Sequence, residues 1–340
     1  MRSPVTPDPE VGQGPVDEFD WIARCLAPLA AGAPGALGLL DDAAVVTPRP
    51  GYDLVLSKDA LVEGVHFLSA DPMDEVARKL LRVNLSDLAA KGAEPFGYML
   101  AVAWPAERGW DQRAAFARGL GEDQIVFGLS LLGGDTVSTP GPVTASLTIL
   151  GWAPHGRMVR RSTARPGDIL LVSGTIGDGT LGLDAARGIA SDLTGPEIAW
   201  LATRYRRPEP RLALIEGLRE HASAAADVSD GLVADAGRIA TASKVALSLD
   251  LDQLPLSQAA AHWLATQPDQ RVARLALATG GDDYEIVCTA APEQVKPLIE
   301  AAAAAGLDLT PIGRVEAGQG VVVFEAAGLV TVDRAGYRHP

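Results

Sequence analysis

Short apolar runs alternate with helix-patterned stretches along almost the whole chain, and this alternation most constrains its fold. Strand-like runs are expected over Leu54–Ser57, Tyr98–Trp104, Thr144–Trp152, Asp168–Ser173, Ala246–Leu251, Glu285–Thr289 and Val321–Phe324. Helical spacing lies between them, over Asp74–Lys91, Trp110–Phe127, Gly179–Ile189, Glu209–His221, Leu232–Ser243 and Pro292–Ala305. The clearest is Asp74–Lys91, with Asp74 as the expected N-cap, Gly92 as a stop and Pro95 beyond it. The pattern predicts a mixed α/β fold. With 340 residues, 47% of them hydrophobic, there is material for two cores. The turn-rich stretch Ala153–Arg165 predicts the boundary between two α/β domains.

Charge narrows the partners. Lys and Arg number 29 against 43 Asp and Glu, a net charge of −14, which argues against nucleic acid or an anionic membrane as partner. Two cysteines, Cys25 and Cys288, are too few for a disulfide framework or a Cys-rich zinc site and read as small buried hydrophobes. The Pro- and Asp-rich start lacks the apolar core of a secretory signal, and no apolar run approaches a membrane span. A cytoplasmic location is expected.

The position of the acids says more than their number. Asp41-Asp42 precedes apolar Ala43–Val46, Asp59 is expected to end a strand, and Asp135 follows Leu131-Leu132-Gly133-Gly134. Asp227 and Asp230 bracket Val228-Ser229, and Asp282-Asp283 follows Gly280-Gly281. Asp87 falls inside a helix with Asn84 three residues back on about the same face, and Lys91 as a possible i+4 partner. Any one of these reads as a turn or cap residue. As a set, gathered at one edge, they would repel strongly without cations, and a hard divalent ion such as magnesium, shared with phosphates, is the natural remedy.

Other chemistries find less support. No G-x-x-x-x-G-K-[ST] loop and no G-x-S-x-G elbow occur. Gly177-Asp178-Gly179-Thr180-Leu181-Gly182 matches G-x-G-x-x-G, but Ser191–Pro196 stands where a dinucleotide fold needs a second strand ending in an acid. The loop is left as a place where amides at a helix start help hold an anion. Of five histidines, only His66 stands beside an acid-bearing strand end, and a lone histidine is more often structural.

The motifs together resemble one family. They are Asp41-Asp42-Ala43-Ala44-Val45, Ser57–Phe67, Val83–Ala90, Gly133–Thr136, Arg161–Asp168, Asp227–Leu232, Gly280–Glu285 and the terminal Gly336-Tyr337-Arg338-His339. In this order they are similar to the thiamine-monophosphate kinases, over nearly all the chain after about Phe19. The resemblance implies transfer of the γ-phosphoryl of ATP to thiamine monophosphate, with several magnesium ions. It also implies the fold shared with aminoimidazole ribonucleotide synthetase, in which an N-terminal mixed sheet with helices pairs in a homodimer and a C-terminal α/β domain follows. The expected division is an extension over 1–18 without order, an ATP- and magnesium-binding domain over 19–153, and the C-terminal domain over 154–340. By matching positions, Asp42, Ser57, Asp59, Asp87, Asp135, Asp227 and Asp230 are implied as magnesium ligands. Gly134, Asp135, Arg161 and Ser229 are implied at ATP, and His66, Asp282 and Tyr337 at thiamine phosphate. No general base is expected.

Three positions depart from the family pattern: Leu40 where a glycine usually precedes the acidic pair, Lys58 in place of threonine, and Asp282 where glutamate is frequent. Lys58 is a candidate phosphate contact. The alternatives are another ATP-dependent synthetase of the same superfamily, or a non-catalytic nucleotide-binding protein. The hydrogenase-maturation type would carry a C-terminal cysteine where this chain reads Arg338-His339-Pro340.

Overall fold

The computed structural model describes residues 17–337. The expected unordered extension falls outside the described residues except at Asp17 and Glu18. Asp17 Oδ1 accepts the amides of Phe19 and Asp20 at 3.0 and 3.1 Å and caps a short helix, α1 (Glu18–Trp21).

A four-stranded sheet follows, built from β1 (Tyr52–Val62), β2 (Glu94–Pro105), β3 (Ser130–Thr139) and β4 (Thr144–Pro154) in the order β1-β4-β2-β3. The helices between are α2 (Met73–Ala90) and α3 (Trp110–Phe127). Strands β2 and β3 run parallel, joined through α3. Helix α3 ends at Gly128, whose left-handed φ of 69° lets its amide return to the Gln124 carbonyl. Asp74 is not the N-cap of α2: the helix begins at Met73, with the Val76 amide bonded to the Pro72 carbonyl, and Asp74 lies in its first turn. The apolar run Ala43–Val46 has no regular structure, and Val45 is exposed. Gly133-Gly134-Asp135 lies within β3. A Cβ on Gly134 would stand 1.8 Å from the Leu100 carbonyl oxygen on the paired strand, so glycine is what allows the ladder to pass.

The second sheet has seven strands in the order β11-β10-β7-β9-β5-β8-β6. They are β5 (Ile169–Ser173), β6 (Ala224–Val228), β7 (Ala246–Asp250), β8 (Glu285–Ala290), β9 (Leu309–Glu316), β10 (Gly320–Glu325) and β11 (Gly328–Val330). All neighbours are antiparallel except β10 and β7. Its helices are α4 (Asp178–Ala186), α5 (Gly195–Arg206), α6 (Ile215–His221), α7 (Leu232–Ser243), α8 (Gln258–Thr266), α9 (Gln270–Thr279) and α10 (Pro292–Ala304). Alternate side chains of the sheet enter two cores. One gathers Leu170, Val172, Ala226 and Val228 with Leu232, Ala236 and Ile239 of α7. The other gathers Leu171, Ala225, Ile286 and Cys288 with Leu298 of α10. Cys288 is buried as expected, and burial pushes its thiol up to about 12, whereas Cys25 is only half-buried.

Two compact units are distinguished. One takes the described residues up to Val46 with Ala60–Leu80 and Gly97–Leu147. The other takes Thr47–Asp59, Leu81–Phe96 and Thr148 onward.

Candidate active site

In the second unit, strand alternation puts Ser57 and Asp59 on one face of β1, and helical spacing puts Asn84 and Asp87 on one face of α2. The two faces meet. The Ser57 hydroxyl donates to Asp87 Oδ2 at 2.5 Å, and the Asp59 amide donates to Asn84 Oδ1 at 3.0 Å. Asp59 therefore sits inside β1 and does not end it, because the strand continues to Val62. Lys58, on the alternate position, is exposed on the opposite face of β1, away from these groups.

Strand β6 delivers Asp227, and the turn Ser229-Asp230-Gly231 leads into α7. Sequence reasoning missed what holds this turn. Asp235, fully buried in the first turn of α7, accepts the amides of Ser229 and Asp230, each at 3.0 Å, while Arg238 pairs with Asp230 and Asp235. The signal was local: an acid within six residues of Ser229, just after a helix start. A second loop closes on the first. The Asp282 amide donates to the Ser229 carbonyl at 2.9 Å and the Tyr284 amide to the Val228 carbonyl at 2.8 Å. Asp282 and Tyr284 hold φ values of 69° and 51°. A Cβ on Gly281 would stand 2.6 Å from the Ser229 carbonyl oxygen, so the approach needs glycine there. The Tyr337 amide donates to the Asp230 carbonyl at 2.9 Å, which brings the end of the described chain to the same turn.

These carboxylates act on one another. Burial first, then the charges of Asp87 and Asp230, pushes Asp59 up to about 6. Burial holds Asp227 well above the usual carboxylate range, with Asp87, Asp235 and Asp59 adding to it and Arg161 opposing. Burial raises the Tyr284 hydroxyl, with Asp282, Asp59, Asp227 and Asp230 adding to the effect. Arg161 stands 3.9 Å from Asp227, and its buried Nε has no hydrogen-bond partner. Crowded carboxylates facing an incompletely satisfied arginine suit hard cations and phosphate oxygens. Among the described residues, no three His, Cys, Asp or Glu side chains converge closely enough to hold a metal ion unaided. That donor set fits an ion which takes few protein ligands and completes its shell with water and phosphate, as magnesium does.

The glycine loop proves different from expectation. Strand β5 leads through Gly177 into α4, but the strands beside β5 are antiparallel, and the loop amides are already used. The carboxylate of Asp283, 1% exposed, accepts the Gly177 amide at 2.9 Å and the Gly179 amide at 2.8 Å. The acceptor at this helix start belongs to the chain itself, and burial holds the Asp283 carboxyl well above the usual carboxylate range although the two amides oppose it. Replacing Asp283 by Asn leaves one oxygen for two buried donors, with an expected loss of about 1–3 kcal/mol. Hydrogen exchange resolved at Gly177 and Gly179 checks it, and unchanged protection at both amides would refute it.

The other expected residues lie in the first unit. Asp42, Gly134 and Asp135 line a cavity of about 190 Å³, with Met99 and Leu131 among its walls. His66 Nδ1 accepts the Val62 amide at 3.0 Å, and the His66 carbonyl accepts Lys79 Nζ at 3.1 Å, so the imidazole helps close a turn after β1.

The two-domain fold and the site define a member of the AIR synthase related proteins. Residues 40–153 match that family's N-terminal domain and residues 165–325 its C-terminal domain. The thiamine-monophosphate kinase of Caulobacter vibrioides is 55% identical over 325 residues, 96% of this chain and 91% of that one. The crystal structure of thiamine-monophosphate kinase from Stenotrophomonas maltophilia K279a has 41% identity and a TM-score of 0.75, covering 84% of this chain and 89% of that one. A structure of AaThiL complexed with AMPPCP and TMP has 30% identity and a TM-score of 0.76, covering 90% of this chain and 97% of that one. The chain belongs to the thiamine-monophosphate kinase family.

Proposed function

We propose that the chain transfers the γ-phosphoryl group of ATP to thiamine monophosphate, giving thiamine diphosphate and ADP. Family membership raises the reading, and the crowded carboxylates facing the unpartnered Nε of Arg161 carry it. The solved relative bound to AMPPCP and TMP holds an ATP analogue and the acceptor together. A phosphate monoester has a second pKa of about 6 and is largely dianionic near neutrality, so its oxygen attacks Pγ without a general base. The new P–O bond forms as the bond from Pγ to the β-phosphate oxygen breaks, and ADP leaves with that electron pair.

Holding two polyanions in line is the protein's task. Ser57, Asp59, Asp87, Asp227 and Asp230 would hold magnesium in the second unit, and Asp42 and Asp135 in the first. Bound there, the ions offset phosphate charge. Arg161, Ser229 and the backbone at Gly134 and Asp135 serve ATP, and His66, Asp282 and Tyr337 serve thiamine phosphate. Residues 19–153 then form the ATP- and magnesium-binding domain and residues 154–340 the C-terminal domain of a cytoplasmic homodimer. Exposed Leu56, Met99 and Val137 on β1, β2 and β3 support pairing through that sheet. No described helix is long and apolar enough to cross a membrane.

The test supplies ATP, magnesium and a panel of thiamine phosphates and reads products by mass. Thiamine diphosphate is expected from the monophosphate alone. Phosphorylation of a different acceptor with none of this product overturns the assignment.

A further inference from the structure

In the segment Asp282-Asp283-Tyr284 two residues hold left-handed φ values, 69° at Asp282 and 51° at Tyr284, although neither is glycine. Such backbone is costly for a residue with a Cβ and persists only where its surroundings over-determine it. Hydrogen bonds from both sides impose it here. On one side, the Asp282 and Tyr284 amides donate to the Ser229 and Val228 carbonyls at 2.9 and 2.8 Å. On the other, the buried Asp283 side chain accepts the Gly177 and Gly179 amides, one on each oxygen, at 2.9 and 2.8 Å. The Asp283 carbonyl also accepts Arg204 Nη2 at 3.4 Å.

The start of α4 also bears on the backbone itself. A Cβ on Gly179 would stand 2.3 Å from the Asp282 carbonyl carbon and 2.6 Å from the Gly281 carbonyl oxygen. Glycine at 179 is therefore what lets α4 begin against this peptide. Held by the Ser229 and Val228 carbonyls alone, the left-handed pair could relax about that one edge. The clasp on Asp283 fixes the other edge. Asp282 is itself only partly buried, so its carboxylate can meet a ligand while its backbone is held.

We propose that Asp283 is a positioning residue: clasped by the start of α4, it fixes the left-handed backbone of Asp282 and so presents the Asp282 carboxylate to the thiamine-phosphate acceptor. This rests on the reading of Asp282 as an acceptor contact. The turn read as serving ATP is held separately, because Asp235 accepts the Ser229 and Asp230 amides. Loosening the clasp should therefore weaken the acceptor and spare the nucleotide. A purely structural role for Asp283 would lower stability with no such preference.

Asp283→Asn keeps the shape and leaves one amide without its acceptor. At a temperature where the variant is folded, the KM for thiamine monophosphate should rise about tenfold, part of what a hydrogen bond to a charged group contributes. The calorimetric Kd for AMPPCP should stay at the parent value, and kcat should change far less than this KM. Gly179→Ala leaves the carboxyl group intact but pushes on the Asp282 peptide, so it should show the same split. In an Asp282→Ala background, Asp283→Asn should still lower the melting temperature but add almost nothing to the acceptor KM, because both act on one contact. An unchanged acceptor KM in Asp283→Asn, an equal loss of AMPPCP affinity, or additive acceptor losses in the double variant overturns the inference. If Asp282→Ala alone binds thiamine monophosphate normally, the reading of Asp282 fails, and this inference with it.

Discussion

Asp87→Asn should lower kcat by roughly 10²–10³-fold while leaving the fold intact. Asp87 accepts the Ser57 hydroxyl and acts on both Asp59 and Asp227, so it stands at the centre of the carboxylate group. Asparagine has the same shape, and its amide oxygen can still accept from Ser57, so the local packing survives. What disappears is one negative charge among several that repel each other. Asp59 and Asp227 should then titrate at lower pH than in the parent, because the neighbour that raises both is gone. The melting temperature should be unchanged or slightly higher, since a repulsion has been removed. On the proposed reading the loss falls on chemistry, because the magnesium ions that would offset phosphate charge lose a ligand. Activity near the parent level at saturating ATP and magnesium would refute the shared role, and a large fall in melting temperature would show Asp87 to be a folding residue.

Glu285→Ala should cost stability on a scale seen at few other sites. Glu285 is fully buried on β8 and accepts from Arg211 Nε at 2.6 Å, Arg204 at 3.3 Å and the Ser173 hydroxyl at 2.6 Å. The Ser173 oxygen in turn accepts the Ile286 amide at 2.8 Å, so the network reaches the sheet ladder. The two arginine side chains are only 14% and 13% exposed. Removing their carboxylate strands two nearly buried cations, for which about 3–5 kcal/mol is expected. In a domain of this size that is a fall of about 6–20 °C in melting temperature. Glu285→Gln, which keeps the shape and one acceptor, should lose less. Urea unfolding of both variants measures it, and a cost under about 1 kcal/mol for Glu285→Ala would contradict the account.

Strong local punctuation made some elements legible to the residue. The helix expected over Trp110–Phe127 lies between Gly109 and a left-handed Gly128, and that over Leu232–Ser243 lies between Gly231 and a left-handed Lys244. Strand β6 escaped notice because Ala224-Ala225-Ala226-Asp227-Val228 has small side chains where strands favour branched ones. Its burial comes from neighbours far away in sequence. Strand β9 carries Pro311 and Gly313, which disguise it, and its pairing with β5 shifts register nearby. Helix α5 carries a local signal, the capping box from Thr194 to Glu197, at the place where a dinucleotide fold would put a strand. In the site, spacing within one element was visible, as for Asn84 and Asp87. Contacts between distant segments, such as Asp283 with Gly177 or Lys91 with Ala225, leave no mark on either segment alone.

The glycine loop before α4 is saturated by a tethered ligand. Because Asp283 is part of the same chain, its effective concentration at the Gly177 and Gly179 amides is far above that of any free anion in solution. Orthophosphate at ordinary buffer concentrations is therefore a poor competitor at this loop. On the proposed reading, inhibition by phosphate salts is expected where nucleotide and acceptor bind and not at this loop.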